Sequence, residues 1–276
     1  MWHPDISGGR PAEVFTITDY MKKIILFPAI ILALLCPGLM ASQFEELDKP
    51  PEGAHEGQML LGGFVSIGIP YGDIIDAEKD FLRGNTYVFE ESEITKELVI
   101  AHLSYDFGIA FEYMPIDYVG LKAKLKRVLI VQRTRFGADF QNWTETLYSN
   151  YSLLFGPSFH LTSRKSWDVT LTPVIGYAFA KYNATPIAAK LVQGYSGDRE
   201  RDVSGITYGA EINLTMYFSG GLYISLGVDW NKYPITFSPP YELTQPGNGN
   251  TFMEGKNSGS IQTINLAISA GYAFSH

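Results

Sequence analysis

Two short patterns carry the residue types of nucleophilic chemistry. His102-x-Ser104 and Ser158-x-His160 each set an imidazole and a hydroxyl two residues apart. On a β-strand that spacing puts both side chains on one face. A serine activated by a histidine also needs an acid to orient the imidazole, and Glu112, Asp168, Glu211 and Asp229 share the same strand parity. Two further roles suit these carboxylates: an interior lining that attracts cations or orients a ligand, or structural groups that bond one another across a narrow interior. No metal-ligand spacing, phosphate-binding loop or GxSxG elbow occurs, so no metal or cofactor is expected.

The elements that position these residues are strands. The chain has 276 residues, 46% hydrophobic and 18% charged, with 14% aromatic residues and 27 glycines. Charge this sparse, against about 25% in soluble proteins, with many Tyr, Phe and Gly, fits β-structure with one greasy and one polar face. Met21-Lys22-Lys23, the apolar run Ile24 to Leu35 and the small residues up to Ala41 have the plan of a secretory signal. The run is too short for a membrane helix and Pro28 interrupts it. The expected organisation is an extension over residues 1–20, a signal peptide over 21–41, a periplasmic segment over 42–57 and a barrel over 58–276. Leu35 before Cys36 argues against lipidation. Cys36 is the single cysteine, which excludes a disulfide framework. The net charge of −8 argues against nucleic acid as a partner.

Period-two alternation predicts eight strands: Met59 to Ile69, Leu98 to Tyr105, Ile109 to Tyr113, Thr146 to Leu161, Trp167 to Lys181, Val203 to Phe218, Leu222 to Lys232 and Ile261 to Phe274. Asp106-Phe107-Gly108 reads as a three-residue hairpin turn. Long connections at 70–97, 114–145, 182–202 and 233–260 alternate with short ones, the sign of an all-β, eight-stranded antiparallel transmembrane barrel of up-and-down topology in a bacterial outer membrane. Pro157 and Pro173 fall on outward parity and are expected to mark bulges.

Parity assigns the inner lining to His102, Ser104, Glu112, Asn150, His160, Asp168, Thr172, Glu211, Asn213, Asp229, Asn231 and Asn265, with no Lys or Arg among them. Aromatic girdles are expected from Tyr105, Trp167, Phe218, Tyr272 and Phe274 at the turn side, and from Tyr113, Tyr177, Phe179, Tyr208 and Trp230 toward the loops. Lys122, Lys124, Lys126, Arg127, Arg133 and Arg135 are assigned to an outer loop or amphipathic arm that meets headgroups or a partner, or is simply solvated, with the apolar Leu125 and Val128 to Val131 open to reading as a strand extension above the membrane.

This layout, the long loop between the first two strands, Tyr-Asp-Phe-Gly-Ile at 105–109 and the ending Ile268-Ser269-Ala270-Gly271-Tyr272-Ala273-Phe274 resemble the outer membrane protein W family over residues 58–274. The resemblance implies a narrow barrel that passes or binds small hydrophobic molecules, with outer-membrane lipid and the barrel-assembly machinery as partners. Some relatives serve instead as receptors or adhesion surfaces through their outer loops. The His102/Ser104 pair also resembles, locally, that of lipid-A deacylases, but inward parity turns it away from lipid, so an enzyme is not expected.

Overall fold

The structure, a computed structural model, describes residues 53–84, 99–136, 141–183, 200–238, 243–244, 251–252 and 257–274. The signal peptide and extension assigned above lie outside them. Strand β1 (Met59–Tyr71) is followed by helix α1 (Asp73–Gly84). Then come β2 (Val99–Ile116), β3 (Val119–Phe136), β4 (Gln141–His160) and β5 (Trp167–Asn183). The short β6 (Glu200–Asp202) precedes β7 (Gly205–Tyr217) and β8 (Leu222–Thr236). A two-residue pair, β9 (Leu243–Thr244) and β10 (Thr251–Phe252), precedes β11 (Ser258–Phe274). The sheet order is β4-β3-β2-β1-β11-β8-β7-β5, and pairing of β4 with β5 closes it into an eight-stranded antiparallel meander. β6 adds to the end of β5 just ahead of β7.

The eight strands found are not the eight expected. Asp106-Phe107-Gly108 is no turn: it lies within β2, where Asp106 pairs with Val128, Phe107 with Arg127 and Gly108 with Lys126. The supposed second and third strands are one. The missing strand is β3, inside the segment assigned to a long basic loop. The two errors cancel in the count. They also cancel in parity, because an odd three-residue turn leaves alternation in the same phase as an unbroken strand.

Gly108 serves close approach of neighbouring backbone rather than a turn. A Cβ there would stand 2.1 Å from the Leu125 carbonyl oxygen and 2.8 Å from Lys126 Cα. Gly108→Val is therefore expected to lower barrel stability by about 1–3 kcal/mol through overpacking, read as a lower urea midpoint of the heat-modifiable band.

The true β2–β3 turn is Asp117-Tyr118, with Tyr118 at φ 70°. Glycine or asparagine usually takes that left-handed position, so this turn gives little sequence signal. The β4–β5 ladder runs from Tyr148↔Tyr182 to Phe155↔Ile175 and resumes at Phe159↔Leu171 in the same register. Pro157 and Pro173 stand opposite each other in the interval. Neither has an N–H to donate, so the interruption is a local loss of pairing and not the bulge expected.

The outer wall is apolar. Ile69, Phe155, Ile175, Phe179, Ile206, Leu226 and Ile268 are all exposed, Ile69 by 68% and Phe179 by 65%. A soluble sandwich would bury this face. Trp167 and Phe218 lie at the turn end, and Tyr272 and Phe274 close β11 beside them. Tyr208 meets Trp230 edge-on, and Tyr177 meets Phe179, nearer the loops. Two girdle assignments are corrected: Tyr105 pairs with Ile67 and Leu129 on the loop half of the barrel, and Tyr113 pairs with Met59 at the turn end.

Both ends of the interior are closed among the described residues. At the turn end residues 53–58 pass beneath the barrel. Arg164 N donates to Ala54 O at 3.1 Å, Gly57 N to Met114 O at 2.8 Å and Glu56 N to Asp117 Oδ1 at 2.8 Å. The last bond holds the Asp117 carboxyl below its usual range. Ala54 packs there with Leu60, Met114, Tyr217 and Tyr223. At the loop end α1 lies over the mouth. Its Ile74 and Ile75 are fully buried among Val128, Ile130, Leu147, Tyr148, Tyr182, Tyr233, Ile235 and Ile261.

Candidate functional site

Between these apolar ends the interior is polar, and its groups come from every side of the barrel. On successive strands, inward residues at every second position must find partners across the lumen, because no water-filled bore of useful width exists at eight strands. The described structure turns His102, Ser104, Glu112, Asn150, His160, Asp168, Thr172, Glu211, Asp229, Asn231 and Asn265 inward, all buried, and Asn213 half-buried against a cavity.

Sequence parity missed the cations. Lys122, Lys124 and Lys126 do not meet headgroups: they point into the lumen from β3. Lys122 Nζ donates to Glu211 Oε2 at 2.9 Å, and Lys124 Nζ donates to Glu211 Oε1 at 2.6 Å. Lys124 also lies 4.0 Å from Asp229 Oδ2 and 4.0 Å from the Phe64 ring centroid. Lys126 Nζ donates to Asp106 Oδ2 at 3.1 Å, with both side chains fully buried. Arg127 has outward parity and stacks over the Tyr151 ring at 4.3 Å. The side chains of Arg133 and Arg135 lie outside the described residues. The signal for inward lysines was present: Lys-x-Lys-x-Lys at 122–126, with Leu121, Ala123 and Leu125 between, is strand alternation with its polar face charged.

Nearer the floor, His160 joins two carboxylates. Its Nδ1 lies 2.5 Å from Asp168 Oδ2 and its Nε2 2.8 Å from Glu112 Oε1. With carboxylate oxygens on both sides, two N–H donors are used, which is the imidazolium form. Thr162 N and Oγ1 donate to Asp168 Oδ1 at 3.0 and 3.1 Å. Above, Asn265 Nδ2 donates to Asp229 Oδ1 at 2.7 Å and Asp106 Oδ2 at 3.2 Å, and Asn231 Nδ2 donates to Asp229 Oδ1 at 2.7 Å. These bonds join inward groups along one strand, between neighbouring strands and, for His160–Glu112 and Asn265–Asp106, across an intervening strand.

A cavity of about 60 Å³ remains between Phe64, Glu112, Lys122, Lys124, Glu211 and Tyr223. Ligand sites usually span about 300–1,000 Å³, so this space suits a few waters and not an organic solute.

Neither Ser/His pair is set for nucleophilic attack. Ser104 Oγ donates to Asp106 Oδ1 at 3.2 Å, and neither nitrogen of His102 has a hydrogen-bond partner among the described residues. Ser158 Oγ is 3.4 Å from His160 Nε2, but its hydroxyl donates to Glu112, which also occupies that nitrogen. Ser158 is wholly buried.

A closed barrel with an apolar exterior and an ion-paired interior defines a small membrane-spanning β-barrel. Solved structures similar to it at low identity include the outer membrane protein OprG from Pseudomonas aeruginosa. That match has 12% identity and a TM-score of 0.49, over 82% of this chain and 100% of that one. Ail, the attachment invasion locus protein of Yersinia pestis, matches at 14% identity and a TM-score of 0.38, over 79% and 99%. Neisserial surface protein A matches at 8% identity and a TM-score of 0.39, over 80% and 100%. No family model and no curated protein matches the chain.

Proposed function

We propose that this protein is an outer-membrane barrel that receives a small apolar molecule in the chamber at its loop end, with α1 as the lid. The observation that carries this reading is the fully buried pair Ile74 and Ile75. They enter from a helix outside the sheet and fill an apolar chamber otherwise walled by strands. Two polar clips fasten the helix. Ser260 N and Oγ donate to Asp73 Oδ1 at 3.1 and 2.8 Å, and Tyr182 OH donates to Glu78 Oε1 at 2.5 Å. Lifting α1 would expose an apolar pocket without breaking the sheet. The ion-paired interior beneath is a floor, because an apolar solute passing through it would strip charges of their partners. Entry is through the mouth, and straight passage along the axis is blocked.

A reversible lock tests the lid. A Cβ on Gly259 would fall 2.5 Å from Ile74 Cδ1 and 3.0 Å from its Cγ1, so an Ile74→Cys/Gly259→Cys pair is close enough to bridge. Residues 42–276 contain no other cysteine. In refolded protein, oxidation is expected to weaken binding of the apolar dye N-phenyl-1-naphthylamine by about tenfold or more, equivalent to ~1.4 kcal/mol, and dithiothreitol to restore it. Equal binding in both states would remove the lid, and no binding in either would remove the chamber.

The filled interior also favours a second reading, in which the barrel only anchors outer connections that bind an extracellular partner. In that case the oxidised lock would leave adhesion unchanged. A lipid-modifying activity is the least supported, and unchanged lipid composition in a His102→Ala strain would end it.

A further inference from the structure

We infer that His102 and Gln132 form a headgroup site in the wall of this chamber, and that the molecule received is an amphiphile with a hydroxyl head rather than a bare hydrocarbon. This rests on the chamber reading and specifies its ligand. The two residues are direct cross-strand partners on β2 and β3. Both are buried, His102 to 7% exposure and Gln132 completely. Among the described residues, all four of their side-chain nitrogen and oxygen atoms lack a hydrogen-bond partner. Most interior polar side chains are joined in a network, and the other interior residues left without a hydrogen-bond partner, Ser66, Thr172 and Tyr233, offer one hydroxyl each; His102 and Gln132 together leave four polar atoms unmet at one place in the wall. Leaving buried polar groups unpaired costs about 1–3 kcal/mol each, a cost that a ligand meeting them would offset.

Their position connects them to the chamber. Gln132 is one inward step along β3 from Ile130, and Ser104, one inward step along β2 from His102, pairs with Ile130. Ile130 lies in the apolar cluster under α1. A molecule seated with its chain among Val128, Ile130 and Ile261 therefore has its head within the reach of His102 and Gln132 once α1 lifts. On α1, Lys79 and Asp76 pair with each other at 3.6 Å.

The donor and acceptor set selects the head. A neutral imidazole offers one donor and one acceptor, and a primary amide offers both kinds. The best complement is a group that donates and accepts at once. A carboxylate would use the donors alone and bring a charge into an apolar chamber. A hydroxyl matches both and carries no charge.

The test uses barrel refolded in phosphatidylcholine vesicles, with empty vesicles as the blank, and follows displacement of N-phenyl-1-naphthylamine by 1-octanol, octanoate and octane. 1-Octanol is expected to displace the dye at a concentration about tenfold lower than octane does. The variant His102→Phe/Gln132→Met is expected to erase that tenfold preference, read as the ratio of octane to octanol concentrations that displace half the dye bound to that same variant. The single variant Gln132→Met, which keeps length and removes only polar atoms, is expected to lose part of the preference. A heat-modifiable band confirms that each variant is folded. A preference for octanol that survives in both variants, or octanoate binding more tightly than octanol, would overturn the headgroup site while leaving the chamber intact. Failure of the dye to bind wild-type protein would overturn the chamber and the headgroup site together.

Discussion

Glu211→Gln should cost the barrel about 3–5 kcal/mol of stability, the range for removing one member of a buried ion pair. Glu211 is the shared partner of Lys122 at 2.9 Å and Lys124 at 2.6 Å, and its side chain is almost fully buried. Glutamine keeps the shape and removes the charge, so two ammonium groups remain in the lumen with Asp229 4.0 Å from one of them. The measurement is urea unfolding in phosphatidylcholine vesicles, followed by Trp fluorescence and by the heat-modifiable band. The quadruple variant Lys122→Met/Lys124→Met/Glu211→Met/Asp229→Asn should recover most of the loss, because it removes two ammonium groups and two carboxylates together. A Glu211→Gln barrel as stable as wild type would mean that water, and not Glu211, balances the lysines, and the floor beneath the chamber would lose its basis.

A second large effect is expected at His160. His160→Leu leaves Glu112 and Asp168 facing the space of the lost ring, without the cation that links them. The Ser158 bond to Glu112 and the Thr162 bonds to Asp168 persist, so the loss should fall near the lower end of about 3–5 kcal/mol. Adding Glu112→Gln and Asp168→Asn should return most of it. The same urea titration reads both, and because Lys122 bonds Glu211 and lines one small cavity with Glu112 and His160, the Glu211 and His160 effects should depart from additivity by about 0.5 kcal/mol or more. Strict additivity would show that the two clusters act independently.

Much of this architecture is legible in the sequence. Alternation from Met59 to Ile69 or from Leu222 to Lys232 is a local property of the pleat, and it separates a lipid-facing row such as Leu226, Val228 and Trp230 from an inward row such as Ser225, Asp229 and Asn231. The inward placement of His160, Asp168, Glu211 and Asn265 follows from the same local rule. The short turns at 162–166 and 219–221 are likewise visible along the chain, whereas the expected turn at 106–108 and most of the expected long connection at 114–145 are strand.

Local rules failed where neighbouring strands decide. Asp106-Phe107-Gly108 has the composition of a turn, but its glycine is required by β3 lying against it, a fact held in residues 125–126. The turn at Asp117-Tyr118 carries no glycine and so does not announce itself. β3 was hidden because three lysines on one face look like a solvated loop. The run Val128 to Val131 loses its alternation because, at the loop end, the barrel is apolar on both sides. Sequence alone thus determined which residues alternate, and with that the kind of barrel and the side each row faces. Only the tertiary structure decided that lysines may face inward, because the charges that make this tolerable arrive from elsewhere: Glu211 lies 87 residues beyond Lys124, and Asp106 lies 20 before Lys126. A buried charge is stable only beside its partner, and that partner is set by barrel closure, not by neighbours in the chain.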